Sequence, residues 1–216
     1  IIIVGGSGID LKKFNTSNTY ELDIKSAPIN KSIELKDGQT MVLMLGRGMI
    51  EKGFFEYYQA AKFISELFPD KYLFVHAGYI DEEVLRRIDD RSIESFASLH
   101  LVKFLGFRQD SAALLSYSDI VIHPSYYREG VPRSLIEALA MDKAIITCDT
   151  IGNRETLIDG WNGFFCKPKD CQSLIAMILK ADGGFRSKSR GRSLALAQRK
   201  FDVKIIDNAV EKSYFN

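Results

Sequence analysis

The chain has 216 residues, of which 46% are hydrophobic and 26% are charged, a composition typical of a globular protein large enough for one well-buried α/β domain. Its 29 Lys and Arg against 28 Asp and Glu leave a formal charge of +1, so there is no overall basic field for nucleic acid or an anionic membrane. Three cysteines without a CxxC pair argue against a disulfide framework and a structural zinc ion, and favour a reducing, cytoplasmic compartment. The start at Ile1 leads us to expect a fragment of a longer protein.

The predicted elements, taken in chain order, begin with the apolar segment IIIVGG, which we expect to pack onto its own domain or to pair with another chain. GGSGID resembles a dinucleotide fingerprint but lacks its third glycine, so NAD binding is not expected. The stretch that follows is polar and rich in turn-forming residues. We therefore predict a leader or interdomain linker over residues 1–39 and one folded domain over residues 40–216.

Buried strands and helices alternate regularly in the predicted domain. The strands are TMVLMLG, KYLFVHAG, LVKFLGF, DIVIHPS, KAIITCD and GFFCKP. Between them we predict helices from Phe54 to Phe68, over about 81–99 and 110–117, at PRSLIEALAM and GNRETLI, and from Leu174 onward. Strands that are apolar throughout indicate an α/β fold, a Rossmann-like parallel sheet with helices on both faces. Ligands bind such sheets at the carboxyl ends of the strands, where the strand order reverses.

One of these helices begins beside a proline, in SYYREGVPRSLIEALAM. We predict Pro132 at the first helical position, where its missing N–H costs nothing. The N–H groups of Arg133, Ser134 and Leu135 would then be free at the positive end of the helix dipole, an arrangement that binds phosphate. Because the preceding strand ends at the carboxyl edge of the sheet, residues 126–131 form the loop that crosses this predicted site.

Two glutamates lie on either side of the predicted phosphate site. Glu129 lies in the loop, and Glu137 lies about one and a half turns into the helix. A carboxylate beside a phosphate is repelled by it but accepts hydrogen bonds from neighbouring hydroxyl groups. The pattern predicts that Glu137 binds a ribose and that Glu129 binds a second polyhydroxy ring, with a diphosphate between them.

Several motifs in a fixed order then make the chain recognisable. GSGIDLKKF, GRGMIEKGFFEYYQAA, REGVPRSLIEALAMDKAIITCD and WNGFFCKPKD together resemble the donor-binding half of family 4 of the retaining glycosyltransferases (glycosyl transferases group 1), which have the two-domain GT-B fold. The resemblance implies that Glu129 contacts the donor sugar near its reacting carbon and that Glu137 binds the nucleotide ribose. It also places Gly130 among the donor-binding residues.

The same resemblance assigns roles to four further residues. Arg47 and Lys52, in GRGMIEKG, would bind the diphosphate and act with Glu129 in catalysis, and Phe107 and Arg108 would lie near the base. Two cations and the helix N–H groups could hold the charge that a metal ion would otherwise neutralise. The sequence has no Asp-x-Asp motif, so we expect no metal ion and no cofactor beyond the nucleotide-sugar substrate.

The implied activity is retaining transfer of a hexosyl group from a nucleotide-diphospho-sugar, with UDP expected before GDP, to a glycan or lipid-linked acceptor in polysaccharide biosynthesis. The acceptor would bind an amino-terminal domain that this chain does not contain, so we expect the fragment alone to be inactive. The resemblance further implies a cytoplasmic enzyme that associates peripherally with the cytoplasmic face of the membrane and has no nucleic-acid partner.

Two other functions remain open from the sequence. One is a non-catalytic module that binds nucleotide-sugars. The other is a GT-B-fold epimerase or glycosidase that uses Glu129 and Glu137 as an acid/base pair, although the flanking phosphate site argues against simple hydrolysis. His76 and His123 lie at strand ends and are interpreted as structural histidines rather than catalysts.

Overall fold

A computed structural model of the chain describes residues 7–15, 33–87 and 101–215. The described residues include one sheet of six strands: β1 (Thr40–Leu45), β2 (Tyr72–Ala77), β3 (Val102–Phe104), β4 (Ile120–His123), β5 (Ala144–Cys148) and β6 (Gly163–Cys166). Every neighbouring pair of strands is parallel, and the order across the sheet is β3-β2-β1-β4-β5-β6. The predicted Rossmann-like α/β fold is confirmed.

Helices connect the strands and extend the chain beyond the sheet. They are α1 (Phe54–Leu67), α2 (Glu82–Arg87), α3 (Ser111–Tyr117), α4 (Arg133–Ala140), α5 (Ile151–Arg154), α6 (Cys171–Ala181), α7 (Gly184–Ser189), α8 (Arg192–Lys200) and α9 (Val203–Phe215), with a 3-10 helix at Ile50–Lys52. The remainder of the helix predicted over 81–99, and the opening segment IIIVGG, lie outside the described residues.

The core lies on both faces of the sheet because side chains alternate along each strand. In β1, Val42 and Met44 pack with α1 and α6, whereas Met41 and Leu43 pack on the other face with α4 and α8. Burial on both faces explains why the strand sequences are apolar throughout rather than alternating with polar residues.

The predicted leader contributes to this core. Ile9, Phe14 and Ile33 are buried on the α4 side of the sheet. The N–H of Ile9 donates to the carbonyl of Phe201 at 2.7 Å, and the carbonyl of Ile9 accepts from Val203 at 3.1 Å. The described part of the leader is therefore fastened to the segment that joins α8 and α9.

The sheet has one point at which its order reverses. From β1 the chain adds β2 and β3 on one side, and it then crosses back to place β4, β5 and β6 on the other side. The loops that follow β1 and β4 therefore lead away in opposite directions and leave a crevice between them at the carboxyl edge.

Candidate functional site

A cleft of about 480 Å³ opens at this crevice. Its walls are the loops that follow β1, β2, β3 and β4 and the first turns of α4. Of the ten predicted site residues, eight line the cleft: Arg47, Lys52, Phe107, Arg108, Glu129, Arg133, Ser134 and Glu137. Residues far apart in the sequence thus meet at the edge of the sheet where parallel α/β folds bind their ligands.

The loop after β1 is held against the loop after β4. The carbonyl of Glu51 accepts hydrogen bonds from the N–H groups of Tyr126 at 2.9 Å and Tyr127 at 3.2 Å. Since Glu51 immediately precedes Lys52, and Tyr127 lies two residues before Glu129, this backbone pairing brings the Lys52 ammonium to the Glu129 carboxylate.

The Glu129 carboxylate is surrounded by donors. Its Oε2 lies 3.2 Å from Lys52 Nζ, and its Oε1 lies 3.1 Å from His123 Nε2 and 3.3 Å from Ser125 Oγ. Burial raises the pKa of Glu129, but the hydrogen bond with His123 and the charge of Lys52 lower it more strongly, to about 2. Glu129 is therefore ionised at neutral pH.

His123 is a cleft residue, although its sequence position suggested a structural role. It is the last residue of β4, only 4% exposed, and lines the cleft beside Glu129. Burial lowers the pKa of His123 more than its contact with Glu129 raises it, so the imidazole is neutral at pH 7. The available sequence signal was its position at the carboxyl end of a strand, which in this fold faces the ligand.

Helix α4 begins at Arg133, one residue later than predicted, with Pro132 as its N-cap in an extended conformation. Among the described residues, none accepts a hydrogen bond from the backbone N–H of Arg133 or Ser134, and both residues line the cleft. The N–H of Leu135 instead donates to the Pro132 carbonyl at 3.1 Å, and the Leu135 side chain lies in the core. The prediction of a free Leu135 N–H was therefore wrong.

Gly130 is the second predicted residue that does not line the cleft. Its carbonyl lies against the start of α5, where a Cβ on Gly152 would come within 2.2 Å of the Gly130 oxygen. Gly130 thus packs against the start of α5 and lies on the side of the Glu129 loop that faces away from the cleft.

Each of the four cations of the cleft lies beside a carboxylate. Arg133 Nε donates to Glu137 Oε1 at 3.2 Å, one helical turn apart. Lys52 is paired with Glu129, and Arg47 Nη1 lies 3.9 Å from Asp81 Oδ2. Partly exposed pairs of this kind are weak. They keep the cations oriented and can be exchanged for a more highly charged anion.

An aromatic pair stands at the edge of the cleft. The rings of Tyr79 and Phe107 stack with centroids 4.9 Å apart and an interplanar angle of 4°. Both rings are more than half exposed, at 62% and 54%. Beside them, Arg108 donates two hydrogen bonds to Asp110, at 2.8 and 2.6 Å. A flat, exposed aromatic surface next to an anion site suits a planar ring.

The chemistry of the cleft is that of an anion site flanked by hydroxyl sites. Four cations line it, each with a carboxylate beside it, and they flank the free N–H groups of α4. Helix N-termini with cations favour phosphate, and carboxylates favour hydroxyl donors. The described residues contain no group of three His, Cys, Asp or Glu arranged to hold a metal ion.

A second cavity, of about 440 Å³, lies at the opposite edge of the sheet, where β4 and β5 begin. Two of its three cations have partners: Arg186 Nη1 lies 3.0 Å from Asp119 Oδ1, and Lys143 Nζ donates to the Ser116 carbonyl at 3.2 Å. None of the predicted site residues lies in this cavity. The cleft at the carboxyl edge is therefore the better candidate site.

The fold is an α/β domain of the kind that forms the carboxyl-terminal half of GT-B glycosyltransferases. The chain matches Anabaena Alr3699/HepE, solved in complex with UDP and glucose, with a TM-score of 0.80 and 23% identity over 97% of this chain and 55% of that chain. It also matches the C-terminal domain of the group 1 family protein LpcC from Francisella tularensis, with a TM-score of 0.69 and 22% identity, over 91% of this chain and all of that domain. At these identities the matches establish the fold.

The chain belongs to the family of glycosyl transferases group 1, whose model matches residues 26–181. It is 34% identical over 182 residues to N,N'-diacetylbacillosaminyl-diphospho-undecaprenol alpha-1,3-N-acetylgalactosaminyltransferase of Campylobacter jejuni, covering 82% of this chain and 44% of that enzyme. It is 29% identical over 179 residues to UDP-Gal:alpha-D-GlcNAc-diphosphoundecaprenol alpha-1,3-galactosyltransferase of Escherichia coli, covering 81% of this chain and 43% of that enzyme. The chain thus spans less than half the length of these two relatives.

The resemblance inferred from the motifs is confirmed by these matches. In the part of the chain that the structure describes, no helix has both the length and the apolar character needed to cross a membrane.

Proposed function

We propose that this chain binds a nucleotide-diphospho-sugar and forms the donor-binding half of a retaining, metal-independent glycosyltransferase. The observation that supports this most strongly is the meeting of cations and free helix N–H groups in one cleft, with a carboxylate on each side. A diphosphate between two hydroxyl-bearing rings has the complementary pattern.

Each part of the donor has a proposed partner. The diphosphate lies against Arg47, Lys52 and the N–H groups that begin α4, since these carry the positive charge of the cleft. Glu137, on α4, accepts hydrogen bonds from the ribose, and Glu129 accepts them from the sugar. The base lies toward the Tyr79 and Phe107 rings, with Arg108 beside it.

The relatives favour a UDP-sugar donor and a lipid-linked or glycan acceptor. The Escherichia coli relative uses UDP-galactose, and both enzymes are named for diphospho-undecaprenol substrates. Because the chain covers under half of each, we assign the acceptor to the part of the enzyme that these 216 residues do not include. We expect the full enzyme to associate peripherally with the cytoplasmic face of the membrane and the isolated chain to lack transferase activity.

The charges that the cleft itself supplies support the proposal of metal independence. The departing diphosphate carries negative charge in the transition state, and preorganised cations and N–H groups stabilise such charge. In a complete enzyme, removing the Arg47 or Lys52 charge is expected to lower turnover by roughly 10²–10³. Retention is proposed from family membership, and the anomeric configuration of the first-formed product, read by NMR, tests it.

Thermal unfolding of the chain with UDP, GDP, ADP or NAD tests donor binding. At about 100 times its dissociation constant, a ligand stabilises the folded state by roughly 2.7 kcal/mol, which shifts the midpoint by a few degrees. We expect UDP to give the largest shift, Glu137→Gln to reduce it, and Glu66→Gln, at an exposed position on α1, to leave it unchanged. If UDP stabilised the wild type and both variants equally, or stabilised none of them, the proposed site would be contradicted.

Binding of UDP in the presence of EDTA tests the metal-independence claim separately. Calorimetric titrations in EDTA and in magnesium chloride are expected to give the same affinity within about twofold, because the cations of the cleft neutralise the diphosphate. Loss of UDP binding in EDTA, restored by magnesium, would show that a metal ion is needed.

A further inference from the structure

The three donors around Glu129 differ in charge and in rigidity. Lys52 is a cation on a flexible stem, Ser125 provides a hydroxyl at 3.3 Å, and His123 provides a ring nitrogen at 3.1 Å. Since a carboxylate can only accept, His123 must donate through Nε2–H. The contact therefore selects one neutral tautomer of the imidazole.

His123 is held by the sheet, whereas Glu129 and Lys52 are held by loops. His123 ends β4 and pairs in register with Thr147 of β5, whose hydroxyl donates to the His123 carbonyl at 2.6 Å. With the ring almost fully buried, its position is set by the core of the domain. His123 is thus a rigidly held hydrogen-bond donor for Glu129, which lies on a loop.

Donor binding would affect these contacts differently. Lys52 faces two anions, Glu129 and the diphosphate that we assign to the cleft, and a divalent anion attracts it more strongly than a single carboxylate. His123 is neutral and buried, so it has no comparable attraction to phosphate. When Lys52 turns to the diphosphate, Glu129 keeps the hydrogen bond from His123.

We propose that His123 is a positioning residue for the donor sugar: its Nε2–H holds the Glu129 carboxylate toward the sugar while Lys52 is released to the diphosphate. This inference rests on the proposed donor site. It predicts that the uncharged His123 contributes more to binding of the sugar than to binding of the nucleotide.

The hydrogen bond can be tested without any ligand. The chain has three histidines, so nitrogen-15 spectra of the imidazole rings can be assigned with one His substitution each. For His123 we expect the Nε2-protonated neutral tautomer, and we expect Glu129→Ala to shift it toward a tautomer mixture. An Nδ1-protonated ring, or a spectrum indifferent to Glu129→Ala, would overturn the proposal.

The functional consequence is tested by calorimetry with UDP and with UDP-galactose, UDP-glucose and UDP-N-acetylgalactosamine as probes. For the UDP-sugar that binds the wild type best, His123→Phe should lower its affinity relative to that of UDP by roughly tenfold, since a charge-assisted hydrogen bond is lost. His123→Gln, which keeps an amide donor, should recover most of the ratio. Ser125→Ala, at the longer contact, should change the ratio less.

An unchanged ratio in His123→Phe, or no recovery in His123→Gln, would contradict a positioning role. If His123→Phe does not fold, His123→Gln and the Glu129→Ala spectra still test whether His123 donates to Glu129. Failure of the wild type to bind UDP, GDP and their sugar conjugates would refute the proposed function and with it the sugar-positioning role, whereas the spectra would still report whether His123 donates to Glu129.

Discussion

At the scale of single residues, the ionisation of Glu129 separates the competing functions. With a pKa of about 2, Glu129 has no proton to donate at neutral pH and is also a very weak base. It can accept hydrogen bonds from a sugar and stabilise positive charge that develops on the ring. The alternative in which Glu129 and Glu137 form the acid/base pair of an epimerase or glycosidase is therefore disfavoured.

The low pKa of Glu129 predicts how stability depends on pH. A carboxylate whose folded pKa is lowered, here from 4.5 to about 2, adds stability that is complete above the unfolded pKa and is lost as the pH falls through the folded one. Because solvent screens this half-buried carboxylate, Glu129→Gln should destabilise the chain by on the order of 1–2 kcal/mol at pH 7, and by progressively less below pH 4.5. Urea unfolding at several pH values measures this, with Glu66→Gln as the exposed control, and a penalty that does not vary with pH would argue against it.

At the scale of single elements, the turn that carries Lys52 depends on a glycine. Gly53 has a φ of +75°, and a Cβ there would lie 2.5 Å from the Pro124 carbonyl oxygen. The left-handed conformation alone costs a side chain about 1–2 kcal/mol, and the close approach adds to it. Glycine is thus needed for two reasons where the loops after β1 and β4 meet.

Gly53→Ala should therefore destabilise the chain more than Gly38→Ala. Gly38 has a similar φ of +79° but no atom within 4 Å of the added Cβ, so it isolates the backbone cost. We expect about 1–2 kcal/mol for Gly38→Ala and at least 1 kcal/mol more for Gly53→Ala by urea unfolding. Equal penalties would mean that the loop moves away from Pro124 at little cost.

The free N–H groups at the start of α4 can be tested with a matched pair of substitutions. Proline is favoured at the first helical position, and the extended conformation of Pro132, with ψ of 127°, suits a following proline. Arg133→Pro removes a side chain and an N–H, whereas Arg133→Ala removes only the side chain. By calorimetry with UDP we expect Arg133→Pro to bind roughly tenfold more weakly than Arg133→Ala. Equal affinities would show that this N–H does not contact the ligand.

At the scale of the whole molecule, the described part of the leader behaves as part of the core. Phe14 is 3% exposed and packs on the α4 side of the sheet, whereas Phe63, on α1, is 40% exposed. We expect Phe14→Ala to lower the free energy of unfolding by about 3–5 kcal/mol and Phe63→Ala by much less. Chemical denaturation measures both, and a small effect of Phe14→Ala would indicate that this segment is only a linker.

The sequence was sufficient where one local pattern determines structure. The apolar strands predicted a parallel sheet, and the order of the motifs predicted which side chains would meet in the cleft. It was insufficient where contacts join distant segments. Ile9 is hydrogen-bonded to Phe201, near the other end of the chain, and Lys52, which comes far earlier in the sequence than His123, contacts the same Glu129 carboxylate. The prediction that the Leu135 N–H is free was wrong for a local reason, because this N–H donates to the Pro132 carbonyl in the first turn of α4.

The most direct test of this account is a crystal structure of the chain with UDP. We predict a diphosphate at the carboxyl edge of the sheet, hydrogen-bonded to the N–H groups of Arg133 and Ser134, with Arg47 and Lys52 turned toward it and Glu137 on the ribose hydroxyls. UDP bound elsewhere, or bound in the cleft with its phosphates away from α4 and from both cations, would contradict the account.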